Sequence, residues 1–409
     1  MSERFQAPRG TFDVLPDEAR KQSLILRAAE ELLDRAGYDP IETPIFEDTE
    51  LFARGVGGST DIVRKEMFTF TDQGDRSLTL RPEATAGIVR AYIERGMQTL
   101  AQPVKLWWAG PLFRHERPQA GRFRQFTQID AEAIGSDSPL VDAELIVLLD
   151  ELLRTLGVAG IELRLGSLGS PEARAAYRDE LRAYLHEHEA DLSEDVRERI
   201  DENPMRAFDA KDESTAAVMQ GAPAMLDRLD GDDAEHFAAV RELLDQAGVD
   251  YVVDPGLVRG LDYYTRTVFE FISDRLGAQS ALAGGGRYDG LVELLGGPPT
   301  PACGWAAGID RIAMAMDEEE VAREPGVFVA AAEGQGRRAL ALVIELRRRG
   351  LRAELDLGGR GMKGQMKQAD RIGATRTVIL DADGSAQVRD MQTGEQRELD
   401  LSRAAEELS

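Results

Sequence analysis

Two β-like runs, VKLWWAGPLFRHE from Val104 and RQFTQIDAEAIG up to Gly135, flank a Pro-Gln-Ala-Gly turn at Pro118 to Gly121. Such runs on either side of a turn cluster predict a β-hairpin. Its connecting end carries Arg114, His115, Arg117, Arg122 and Arg124, all between Phe113 and Phe126. The rest of the chain is acidic: 74 Asp and Glu against 49 Lys and Arg leave a formal net charge of -25. Positive charge gathered at one place in such a chain calls for an anionic partner. A planar guanidinium holds phosphate oxygens through two parallel hydrogen bonds, which suits a polyphosphate. The competing reading is a solvated loop whose arginines pair with Glu116.

At 409 residues the chain has room for two or three domains. DEARKQSLILRAAEELLDRAGY has helical apolar spacing and stops at Gly37. Pro40 and Pro44 then force an extended or turning path. Ser77 to Leu80 reads as a strand, followed by a helix with Pro82 and Glu83 in its first turn. From Ser170 to about Gly248 the sequence is helical and acidic, an insertion over about 170–248. Strand-like sequence resumes in DYVVDPGLVRGLDYYTRTVFEFI. Near Pro325 the pattern changes to strand, helix, strand, helix, predicting a separate α/β domain over 325–409. The part before it, 1–322, is α+β.

Composition excludes several classes. One cysteine, Cys303, and four histidines rule out an internal disulfide and a Cys- or His-based metal site. No apolar run reaches the roughly eighteen residues that would cross a bilayer. The opening MSERFQAPRG lacks a signal-type apolar segment, so a cytoplasmic location is expected. Lysine occurs only at Lys21, Lys65, Lys105, Lys211, Lys363 and Lys367. Excess acid with scarce lysine suits a cytoplasm of molar salt; an ordinary high-GC genome would also favour arginine. Acidity argues against nucleic acid as a partner, but the Debye length falls to about 3 Å at 1 M salt, so a local arginine patch still works.

Three further strings carry chemistry. RGLDYYTRTVFEF, from Arg259, sets two arginines and paired tyrosines in a strand context. GGGRYDG, from Gly284, lets a ligand approach the backbone closely. GIDRI puts Arg311 at a helix start after a strand of small residues.

Taken together, the segment around Pro44, the hairpin FRHE…RFRQF and the terminal GIDR resemble the three motifs of class II aminoacyl-tRNA synthetases. RGLDYYTRTVFEF and GGGRYDGL resemble the two signature peptides of the histidyl-tRNA synthetase family, and RPE-T at Arg81 to Thr85 matches as well. The resemblance spans nearly the whole chain, with the tail resembling that family's anticodon-binding domain. It implies a mixed, mainly antiparallel catalytic sheet with a helical insertion. It also implies activation of L-histidine by ATP with Mg²⁺, then transfer to tRNA(His), in a homodimer whose interface lies around Pro44.

By the same resemblance Arg114 holds the α-phosphate, Arg311 the γ-phosphate, and Arg259 acts at the α-phosphate; Arg114 and Arg259 are the catalytic pair. Glu116, Arg122 and Arg124 frame ATP. Glu83, Thr85 and Gln128 hold the α-amino group of histidine, Glu132 and Tyr264 bind its ring, and Tyr263 and Tyr288 complete the pocket. Arg117 and Gln119 meet the tRNA acceptor end, while Arg360, Lys363 and Lys367 serve the anticodon. The chain departs from the family at Thr127, Trp305 and Gly166, and at Asp130, where a small residue is usual. The rival is a non-catalytic regulatory subunit of ATP phosphoribosyltransferase with a synthetase-like fold, which usually lacks both the intact RGLDYY peptide and the anticodon domain. Another class II synthetase is disfavoured by RGLDYYTRT, and a tRNA sensor by the lack of a fused kinase.

Overall fold

The computed structural model describes residues 5–58, 60–119, 121–210, 212–317 and 326–408. The chain divides into two compact units, 1–321 and 322–409. In the first, a helix spans Pro16–Arg35, with Pro16, Asp17 and Glu18 in its first turn and Arg35 in its last. Gly37 ends it at φ 78°, a left-handed conformation that glycine adopts without penalty.

A two-residue strand, β1 (Asp39–Pro40), follows. Then comes a small antiparallel sheet of β2 (Phe46–Asp48), β3 (Phe68–Thr71) and β4 (Ser77–Leu80) in the order β2-β4-β3. The arginine hairpin consists of β5 (Val104–Phe113) and β6 (Gln125–Ile134), in register from Val104↔Ile134 to Phe113↔Gln125. The strands β7 (Ile161–Ser167), β8 (Val252–Val253), β9 (Thr265–Ser273), β10 (Ala281–Arg287) and β11 (Ala302–Gly308) complete the large sheet. Its order is β1-β5-β6-β11-β10-β9-β7-β8. Only the outer pairs, β1 with β5 and β7 with β8, are parallel, so the sheet is mixed and mainly antiparallel.

Alternation along the strands decides which face is core. Ile129, Ala131 and Ala133 of β6 join Leu163, Leu165, Phe269 and Phe271 in one buried cluster. Leu145, Leu149 and Leu152 of the helix Pro139–Thr155, and Leu32 and Leu33 of the first helix, complete it. The opposite face of the central strands is left for chemistry.

Between β7 and β8 the chain is helical: Pro171–Glu187, Glu194–Arg197, Glu213–Met219 and Gly231–Ala247. Tyr177, Leu181 and Leu185 pack in one cluster with Leu257, Tyr264 and Val268, which joins this segment to the peptide that begins at Arg259.

The second unit is a five-stranded sheet of β12 (Val327–Ala331), β13 (Ala353–Leu355), β14 (Arg376–Leu380), β15 (Ala386–Asp390) and β16 (Gln396–Glu398), ordered β13-β12-β14-β15-β16. The first three strands are parallel, with the helices Gly336–Arg348 and Met362–Arg371 in their crossovers. The antiparallel β15–β16 hairpin goes beyond the alternation read from sequence. Its signal was there in Thr393-Gly394: Asp390 Oδ1 accepts from the N–H groups of Gln392 and Thr393, and Gly394 sits at φ 76°.

Two local expectations are corrected. The helix after β4 begins at Thr85, so Pro82 and Glu83 lie ahead of its first turn. Residues 259–264 form a loop, and the strand starts only at Thr265.

Candidate active site

Beside the central strands lies a cavity of about 340 Å³ with two chemically opposite ends. Its basic end gathers Arg114, Arg122, Arg259 and Arg311, together with Glu116 and Glu270. These arginines come from the hairpin, the loop before β9 and the helix Ile309–Ala315. Arg114 Nε donates to the carbonyl of Pro82 at 2.8 Å, and its guanidinium lies 5.2 Å over the Phe126 ring. Arg311 donates to the carbonyls of Gly121 (3.0 Å) and Ala281 (2.8 Å). Neutral carbonyls fix these two groups in place without cancelling their charge. Burial, and then the neighbouring Arg122, lowers the Arg311 pKa from the usual arginine range. Arg259 pairs with Glu270, and its buried Nε has no hydrogen-bond partner among the described residues. Arg122, half exposed, pairs with Glu116 at 3.2 Å.

The acidic end consists of Glu83, Asp130 and Glu132, exposed by only 4%, 1% and 1%. Glu83 accepts from the backbone N–H of Ala86 at 3.0 Å and so satisfies the start of the helix it precedes. Glu132 accepts from Thr85 Oγ1 at 2.7 Å and from the Tyr288 hydroxyl. The Tyr263 ring lies 4.8 Å from Tyr264 and 5.5 Å from Tyr288. Burial pushes the carboxyls of Glu83 and Glu132 up to about 7 and about 8. Gln128 lines the cavity between the two ends.

Glycines make room for this arrangement. A Cβ on Gly304 would lie 1.6 Å from Glu132 Oε2, and one on Gly284 would lie 2.3 Å from Arg259 Nη2. GGGRYDG was expected to admit a ligand to the backbone; Gly284 does line the cavity, and the guanidinium of Arg259 approaches it as well. Arg287 of that string is wholly buried and binds Asp142, the carbonyls of Ser136 and Ser138, and Asp289, tying β10 to the helix Pro139–Thr155.

Arg124 is not brought into the cavity. Its backbone N–H donates to the Gly10 carbonyl, its side chain packs on Gly10, and its Nε faces the Glu116 carbonyl at 3.4 Å. Arg117 and Gln119 are exposed at the hairpin turn, where Gln119 and Arg122 exchange backbone hydrogen bonds. In the second unit Lys363 and Lys367 are exposed one turn apart, and Arg360 is engaged by Asp356 at 2.6 Å.

Two residues of consequence were not singled out from sequence. Arg174 donates to the carbonyls of Asp262 (2.8 Å) and Tyr264 (3.0 Å), clasping the Arg259 loop from the helical segment. Asp310 accepts from Thr127 N–H at 3.0 Å and from Gln22 at 2.9 Å. Asp130 was noted only as a departure, though it shares a strand face with Gln128 and Glu132.

A cationic cluster and buried carboxyls share one small cavity, which gives it binding groups for an anion and for a cation side by side. The histidyl-tRNA synthetase family model matches residues 10–312, and an anticodon binding domain model matches 327–409. The chain is 47% identical to a histidine–tRNA ligase of Desulforamulus reducens over 96% of both chains. Among solved structures it resembles apo histidyl-tRNA synthetase of S. aureus, with TM-score 0.81, 36% identity and 99% of both chains covered. It also resembles an ATP phosphoribosyltransferase regulatory subunit/histidyl-tRNA synthetase from Bacillus halodurans, with TM-score 0.68, 25% identity, and 90% of this chain and 97% of that one covered. The chain belongs to the histidyl-tRNA synthetase family.

Proposed function

We propose that the chain is a histidine–tRNA ligase. The observation that carries this reading is the convergence of Arg114, Arg259 and Arg311 on one cavity whose far end is lined by buried carboxyls. The histidine carboxylate attacks the α-phosphorus of ATP; the new O–P bond forms as the bond to pyrophosphate breaks, and pyrophosphate leaves with the electron pair. The 3′-hydroxyl of tRNA(His) then attacks the carbonyl carbon of the adenylate; the ester bond forms as the acyl–phosphate bond breaks, AMP leaves with the electron pair, and the hydroxyl proton is released. Positioning and charge stabilisation supply most of such a barrier.

Arg114 and Arg259 act where negative charge grows at the α-phosphate, and Arg311 holds the γ-phosphate. Their fixed guanidiniums need little reorganisation. Arg122 and Glu116 frame the nucleotide at the open side; Arg124 supports the hairpin rather than the nucleotide. Magnesium would arrive on the phosphates, and Glu116 and Glu270 supply the carboxylate oxygens that such an ion accepts. Glu83, Thr85 and Gln128 receive the α-ammonium, Glu132 and Tyr264 the imidazole, while Tyr263 and Tyr288 wall the slot. A pocket built on hydrogen bonds rejects analogues lacking the partner atoms by about 10⁴ or more.

The acceptor end of tRNA docks at Arg117 and Gln119. The anticodon meets the helix Met362–Arg371, whose Lys363, Lys367 and Arg371 recur every four residues. Exposed Ile45, Phe46 and Phe70 beside Pro44 support a homodimer formed through the small sheet. Among the described residues no helix is long and apolar enough to cross a membrane. A cytoplasm of molar salt fits the net charge of -25.

The regulatory-subunit reading has the Bacillus halodurans likeness in its favour, but the intact Arg259–Tyr264 peptide and the matched anticodon domain favour the ligase. The test is charging: with ATP and Mg²⁺ the purified protein should esterify tRNA(His) with labelled histidine. Folded protein that charges no tRNA in any salt would overturn the proposal.

A further inference from the structure

We propose that Asp130 is a second carboxyl ligand, beside Glu83, for the ammonium group of the amino acid. The inference rests on the reading of the cavity as a histidine site. Along β6 the side chains alternate, so Gln128, Asp130 and Glu132 face the cavity while Ile129, Ala131 and Ala133 enter the core.

The three acidic residues at that end differ in one respect. Glu83 is held by a backbone N–H, and Glu132 by two hydroxyls. Asp130 is 1% exposed, and its Oδ1 has no hydrogen-bond partner among the described residues. A buried acceptor left open is costly, and it is retained where a ligand fills it. An ammonium brings three donors, and a buried carboxylate oxygen with no partner of its own offers one of them a charge-assisted acceptor beside Glu83, Thr85 and Gln128.

The charged groups around Asp130 are Glu132 on its own strand, Glu83 ahead of the helix Thr85–Glu94, Arg114 after β5 and Arg81 after β4. Burial first, then the two glutamates, raises its pKa well above the usual carboxyl range against the pull of the arginines. Its charged form is thus disfavoured in the empty site, and an arriving cation favours it. Arg114 nearby marks the side where the carboxylate and phosphate of the reactants meet, which assigns Asp130 to the α-ammonium rather than the far edge of the ring.

Calorimetric titration of wild type and Asp130→Asn with three ligands tests this. L-Histidine carries both charged groups, histidinol keeps the ammonium without the carboxylate, and imidazolepropionate lacks the ammonium. In Asp130→Asn the Kd for histidine and histidinol should rise roughly tenfold. That for imidazolepropionate should stay within about twofold. The variant should melt at or above the wild-type temperature, because an uncompensated buried acid has gone. Unchanged affinities, equal losses for all three ligands, or a markedly lower melting temperature would each overturn the assignment and leave the ligase reading standing. Wild type that binds no histidine would instead overturn the reading of the cavity, and this inference with it.

Discussion

The two ends of the cavity solve opposite electrostatic problems in different ways. At the basic end, Arg114 and Arg311 are held by backbone carbonyls, partners that fix direction and leave the positive charge to act. At the acidic end, burial raises the carboxyl pKa values, so the negative charge is weakened until a cation arrives. The difference teaches what each end is ready for. The guanidiniums are charged and oriented before ATP enters, whereas the carboxyls await their ligand.

The largest effect should come from breaking the basic end at its most enclosed point. Arg259→Gln should lower the rate of histidine activation by about 10²- to 10³-fold with little change in histidine KM. Loss in KM alone would show that Arg259 only binds substrate. Next, the acidic end can be broken sterically. Gly304→Ala drives a methyl group into the Glu132 carboxylate and should cut kcat/KM for histidine about tenfold or more while sparing the KM for ATP. An ATP defect of equal size would mean that the two ends are not separate.

A third prediction uses pH. Carboxyls whose folded pKa values are raised stabilise the fold below their unfolded values near 4.5, and that contribution is lost as pH rises through about 7 to about 8. The empty protein should therefore lose melting temperature between about pH 4.5 and 8, and saturating histidine should reduce the loss. A ligand-free profile that is flat over this range would show that Glu83 and Glu132 are ordinary carboxylates. The smallest effect should follow Arg122→Ala, which removes a half-exposed ion pair and should change ATP KM by no more than about threefold.

The same contrast explains what was legible in the sequence. The hairpin and its arginines are consecutive, so turn chemistry and strand pattern expose them directly. The acidic end was reached through the resemblance, which named Glu83, Gln128 and Glu132, while Asp130 stood only as a departure from it. Partners drawn from far along the chain were not legible. Arg174 lies 88 and 90 residues from the carbonyls it binds, and nothing local marks it. Glu83 was placed by resemblance, but its local role was misread. The preference for Pro and Glu in a first helical turn is generic, whereas here the carboxylate reaches forward to the N–H of Ala86. Arg124 shows the limit of counting arginines: two residues along from Arg122, it leaves the cavity for Gly10.

Whether the two ends act together is tested most directly by exchange of labelled pyrophosphate into ATP, run from dilute buffer to molar KCl. The wild-type chain should catalyse exchange only when L-histidine is present, rising with salt, with Arg259→Gln reducing it by about 10² or more. Exchange that does not depend on histidine, or its absence at every salt concentration from folded protein, would contradict the account.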